Sequence, residues 1–95
     1  MDFLNKVVVV TGGASGIGLA CCREFAERNA AVALVDTDVK AGRRAAKELR
    51  QSGSRIEFFP FDVSKRGQVE AGVTRIAKKL GDMAFQAGGM QTQKL

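Results

Sequence analysis

Four consecutive valines, Val7 to Val10, run directly into Thr11-Gly12-Gly13-Ala14-Ser15-Gly16-Ile17-Gly18. This junction constrains the fold more than any other stretch. A short β-branched run reads as a strand buried on both faces. The glycine-rich turn that follows leads into helical spacing. The first amides of a helix have no partners inside it, and the helix dipole places positive charge there. A phosphate fits such a place, provided the turn admits dihedrals that a Cβ hinders and lets a ligand approach the backbone. Strand, glycine turn and helix together point to a site for a dinucleotide.

The rest of the chain repeats the alternation. Residues 6–10 are the first strand and 16–29 the first helix, with Ile17, Ala20, Cys21 and Phe25 on its dry face and Asn29 at its end. Ala31 to Val35 forms a second buried strand with Asp36 at its carboxyl end. Asp38 caps a second helix over 39–52. Arg55 to Phe59 is a third strand closed by Pro60, which cannot continue a ladder. Ser64 caps a third helix to about Leu80, with Val69, Val73, Ile76 and Leu80 on one face. Strands alternating with helices of this length imply parallel pairing and right-handed crossovers. The fold class is α/β: a partial doubly wound, Rossmann-type parallel sheet of three βα units in order 3-2-1. Residues 1–80 make that half, and 81–95 a degenerate fourth strand with a frayed tail.

Composition narrows the function classes. The chain has 95 residues, no His, and a net charge of +5. No apolar stretch is long enough to span a bilayer, and the amino terminus lacks the layout of a signal peptide, so the reading is a soluble, cytoplasmic protein. Cys21 and Cys22 are neighbours on a helix and point about 100° apart, which suits neither a disulfide nor a metal pair. No carboxylate cluster replaces the missing His, so no metal site is expected. The positive charge is densest at Lys40, Arg43, Arg44, Lys47 and Arg50, opposite Val39, Gly42, Ala46 and Leu49. That is a solvated helix face, and without interleaved aromatics it does not indicate nucleic acid.

The pattern T-G-x-x-x-G-x-G, carried by Thr11, Gly12, Gly16 and Gly18, resembles the short-chain dehydrogenase/reductase family. Asp36 after the second strand and Asp62-Val63 after the third extend the resemblance. It implies an NAD(H) site in which Gly12, Ser15, Gly16, Ile17 and Gly18 line the phosphates and Thr11 braces the turn. Asp36 would accept hydrogen bonds from the ribose hydroxyls and repel a 2′-phosphate, which favours NAD over NADP. Asp62 and the Val63 amide would read the adenine edge.

Beyond residue 80 the sequence departs from the family. Where the family has a stretch like D-x-L-V-N-N-A-G, this chain has Asp82-Met83-Ala84-Phe85-Gln86-Ala87-Gly88-Gly89. The family's Tyr, Lys and Ser catalytic set lies farther on, and these 95 residues contain no Tyr. No catalytic residue is therefore assigned. The expectation is the amino-terminal NAD-binding part of an oxidoreductase, inactive by itself. The alternative is a non-catalytic NAD-binding module that docks on a full-length homologous subunit through an exposed sheet edge.

Overall fold

The computed structural model describes residues 2–81 and, for the backbone alone, 83–87. The elements run β1 (Val7–Thr11), α1 (Gly16–Glu27), β2 (Ala31–Asp36), α2 (Val39–Arg50), β3 (Ile56–Pro60), α3 (Arg66–Leu80) and β4 (Met83–Ala87). All neighbouring strands are parallel, and their order is β3-β2-β1-β4. The predicted order 3-2-1 is therefore present with a fourth strand added beside β1. That strand covers the β1 edge which the sequence left nearly bare. Its register shifts between Val7 and Val8, where Val7 faces Met83 and Val8 faces Phe85. The expectations for Asp82, Gly88, Gly89 and the tail 90–95 lie outside the described residues.

The four valines divide between two cores. Val8 and Val10 join Val32, Leu34 and Ile56 on the face covered by α1 and α2, where Cys22, Ala26, Ala45 and Leu49 pack down. Val7 and Val9 join Ala33, Val35 and Phe59 on the opposite face, with Ile76 and Leu80 of α3. A strand that feeds two cores has no polar side, which is why β1 and β2 read as unbroken apolar runs.

β3 lies at one end of the sheet, and aromatic rings flanking it seat on helix glycines. A Cβ on Gly42 would meet the Phe58 ring, and a Cβ on Gly72 would lie 2.6 Å from Cδ2 of Phe61. Both glycines leave room for rings from the β3 segment, one on each side of the sheet.

Helix ends follow local chemistry. Asp38 caps α2 as predicted, its Oδ1 accepting from the Ala41 amide at 3.0 Å. Asn29 ends α1 at φ 70°, with its amide donating to the Ala26 carbonyl and the Ala30 amide to that of Phe25. This crossed pair satisfies two carbonyls that the helix leaves open. The third cap differs from expectation. Lys65 occupies the cap position of α3 without a side-chain bond, and Ser64 is engaged elsewhere.

The face of α1 also differs. Ile17 and Ala20 are exposed and Cys21 is half-buried, whereas Gly18, Cys22 and Ala26 are buried. The helix is rotated about one residue from the predicted face because Gly18 must meet the preceding turn. The basic residues of α2 are exposed as read from the sequence.

Replacing Gly72 by Ala should cost about 1–3 kcal/mol through overpacking against Phe61, despite a helix-propensity gain of up to about 1 kcal/mol. Urea unfolding measures this. The cost should shrink when Gly72→Ala is made in a Phe61→Leu background.

Candidate functional site

The winding changes direction between β1 and β4. β2 and β3 lie on one side of β1, and β4 lies on the other. In open parallel sheets such a switch leaves a crevice at the carboxyl ends of the strands. The glycine turn sits at that end. Thr11 closes β1 and is buried. Gly12 and Gly16 bracket the turn with φ of 64° and 56°, and the space where their side chains would stand is open. At Gly18 the constraint is contact instead. A Cβ there would fall on the Gly12 carbonyl, 2.6 Å from its carbon. The base of α1 therefore rests directly on the turn.

Hydrogen bonds sort the turn's amides into two groups. Gly13 donates to the Val35 carbonyl at 3.1 Å, and Ala14 donates to Oδ2 of Asp36 at 3.1 Å. Both tie the turn to the end of β2. Ser15 occupies the cap position with extended dihedrals, but its hydroxyl makes no capping bond. The first helical bond runs from the Leu19 amide to the Ser15 carbonyl at 3.2 Å. No described group accepts from the amides of Gly16, Ile17 or Gly18, and no acidic residue lies in the first turn of α1. Three donors and the positive end of a helix dipole thus converge beside open space. The Ile17 side chain, 82% exposed, projects next to them.

Behind the turn, the buried Cys22 thiol lies 3.9 Å from the Gly13 carbonyl oxygen. Burial, with a smaller effect from Cys21, pushes its pKa up to about 12, so the thiol stays neutral. Cys21, beside it on the helix, is half-buried.

Asp36 closes β2 in register with Pro60 of β3. Its Oδ1 accepts from the Asp38 amide at 3.0 Å. The sequence placed this carboxylate at the strand tip but held no hint of its bond to Ala14. Asp62 and Val63 follow β3 one strand farther out. The Asp62 carboxylate is engaged locally, with Oδ1 accepting from the Ser64 hydroxyl at 2.7 Å and the Ser64 amide at 2.9 Å. This explains why Ser64 does not cap α3. The Ser64 hydroxyl, then its amide, and more weakly the charge of Lys65, hold the Asp62 carboxyl below its usual value. The Asp62 amide donates to Oε1 of Gln68 at 2.9 Å, so this loop is braced from α3. Gln68 stands where a capping-box side chain would reach back to the Lys65 amide, but it reaches past that cap to Asp62. Val63 packs partly buried against the α3 core, and no described group accepts from its amide.

A separate cleft lies away from the glycine turn. A cleft of about 830 Å³ opens at the amino ends of the strands, lined among others by Asn5, Lys6, Asn29, Ser52 and Arg55. Charges of both signs edge it, and no buried polar side chain is aimed into it. Among the described residues, no three His, Cys, Asp or Glu side chains gather as metal ligands, and no helix is long and apolar enough to cross a membrane.

The comparisons with known proteins agree with this geometry. The short chain dehydrogenase family model matches residues 6–93. A 3-oxoacyl-(acyl-carrier-protein) reductase of Chlamydia muridarum is 38% identical over 95 residues, covering 97% of this chain and 38% of the relative. A 3-hydroxyacyl-CoA dehydrogenase type-2 of Drosophila melanogaster is 37% identical over 90 residues, covering 93% of this chain and 34% of the relative. A short chain dehydrogenase/reductase from Burkholderia phymatum, solved in complex with NAD, superposes with a TM-score of 0.86 at 30% identity, over 90% of this chain and 31% of that one. The chain belongs to the short-chain dehydrogenase family. It spans about a third of the length of the curated relatives it matches.

Two variants separate the glycine requirements. Gly18→Ala should lose more than about 2 kcal/mol, because the clash is with backbone. Gly16→Ala, which meets open space at positive φ, should lose about 1–2 kcal/mol. Chemical denaturation of both variants reads the difference.

Asp62 supplies a pH test. Its native pKa lies below its ordinary value, so its contribution to stability is full above that value and fades as pH falls through the native pKa. Ser64→Ala should raise the Asp62 carboxyl titration toward the ordinary range, followed by NMR. It should also shrink that acid-side loss of stability, the Ser64 amide and Lys65 keeping the remainder.

Proposed function

We propose that this chain is the NAD(H)-binding amino-terminal portion of a short-chain oxidoreductase, whose parent moves a hydride between NAD and an alcohol or carbonyl carbon. The observation that carries the reading is the set of amides of Gly16, Ile17 and Gly18, from which no described group accepts, in the turn that the Asp36 carboxylate holds at Ala14. Those donors fit a diphosphate. The open sides of Gly12 and Gly16 let it approach the backbone. Ser15 and Ile17 flank the same entrance. Asp36 would grip the adenosine ribose and disfavour a 2′-phosphate. Asp62 and the Val63 amide would meet the adenine edge, with Gln68 and Ser64 holding that loop in shape. Residues 1–80 are assigned to this binding half and 81–95 to the fourth strand and tail of a soluble cytoplasmic protein.

When bound, the nicotinamide would accept or donate the hydride. This chain's residues hold the other end of the cofactor. With no Tyr and no His among its 95 residues, it contributes no proton donor of the family's type, so no catalytic role is assigned to it alone.

A second reading, a non-catalytic module docked on a full-length homologous subunit, draws on the place of β4 at one end of the strand order.

Titrating the purified chain with NADH should give saturable fluorescence enhancement. NADPH should bind at least about tenfold more weakly, a difference of about 1.4 kcal/mol. Alcohol-dependent NADH formation should stay at background. Absence of NADH binding would defeat the nucleotide reading, equal binding of NADPH the NAD preference, and turnover by the isolated chain the claim of inactivity.

A further inference from the structure

The glycine turn does not hold its own shape. With two glycines at positive φ, its backbone has little intrinsic preference. The hydroxyl of Ser15, the usual brace at a helix start, makes no capping bond. What fixes the turn from outside is the end of β2, through the Val35 carbonyl to Gly13 and the Asp36 carboxylate to Ala14. The second of these joins residues 22 positions apart, and Ala14 lies two residues before the amides of Gly16, Ile17 and Gly18, from which no described group accepts. The other carboxylate oxygen is held by the Asp38 amide at 3.0 Å, which fixes the side chain at the head of α2.

We infer that Asp36 is a positioning residue for the anion-binding turn, in addition to the ribose contact proposed above. Its carboxylate clamps the Ala14 amide and so sets where the amides of Gly16, Ile17 and Gly18 converge. This inference rests on the nucleotide reading. A carboxylate offers about four lone-pair sites. The two main-chain donors occupy one on each oxygen. One site on each oxygen remains, which matches the two hydroxyls of a cis-diol. The group that recognises the sugar is therefore also the group that shapes the phosphate cradle. Altering it for a different sugar alters the cradle too.

The two roles predict opposite signs for a ligand that has the diphosphate but lacks the diol. If Asp36 only grips the sugar, removing its charge leaves such an anion bound equally well or better, since a like charge nearby is gone. If Asp36 also clamps the turn, the same ligand binds more weakly. The probe is 2′,3′-dideoxyadenosine 5′-diphosphate, with ADP beside it, on the full chain and on Asp36→Ala. We expect the dideoxy ligand to weaken at least about threefold, about 0.7 kcal/mol, and ADP to weaken more. Equal or tighter binding of the dideoxy ligand by the variant overturns the clamp. If Asp36→Ala fails to fold, Asp36→Leu, which keeps side-chain bulk but offers no acceptor, is compared in the same way.

Amide exchange without ligand is the second measurement. Ala14 should lose protection in the variant while Val32, near the start of β2 with its amide on the Arg55 carbonyl, keeps its own. Unchanged exchange at Ala14 overturns the clamp whatever the binding data show. If the unaltered chain binds neither ligand, the nucleotide reading falls and this inference falls with it.

Discussion

The meeting of two backbones at Gly18 governs the carboxyl end of the sheet. Only without a side chain can the first turn of α1 rest on the Gly12 carbonyl. That contact sets the rotation of α1 and sends Cys22 and Ala26 into the core. It also leaves Ile17 outside, next to amides from which no described group accepts. A larger residue at position 18 would push the helix away from the strand and separate the donors from the crevice. Glycine here answers a packing demand, whereas at Gly12 and Gly16 it answers a dihedral one.

Much of this architecture is legible in the sequence because parallel strands buried on both faces read as continuous β-branched runs. The alternation of such runs with amphipathic stretches is enough to place three βα units and their order. Asp38 and Asn29 mark their helix ends because their roles are local. The features that escape are those decided by competition or by distance along the chain. Ser64 can cap α3 or bind Asp62, and the structure shows the second. The face of α1 follows from a contact between residues 12 and 18 that no periodicity contains. β4 is weak as a side-chain pattern, yet it pairs along β1, because backbone donors and acceptors on an open edge require partners regardless of side chains.

The two acids that the family pattern singles out have different local fates. Asp62 turns back on Ser64, within its own loop. Asp36 reaches across to Ala14, a residue of another loop. The first arrangement organises a turn, and the second ties two connections of the sheet together. Identical side chains at equivalent strand ends thus differ in how far their influence extends.

A strand that is apolar on both faces has no wet side to oppose sliding past its neighbour. For β1 and β2, a slip of one residue would merely exchange valines between two equally greasy compartments. Alignment must therefore be enforced at the ends. At one end the Ala31 amide holds the Lys6 carbonyl at 2.9 Å. At the other, Val35 and Asp36 hold Gly13 and Ala14. The glycine bend thus acts as a latch at the carboxyl end of the β1–β2 ladder, as the Lys6–Ala31 bond does at the other.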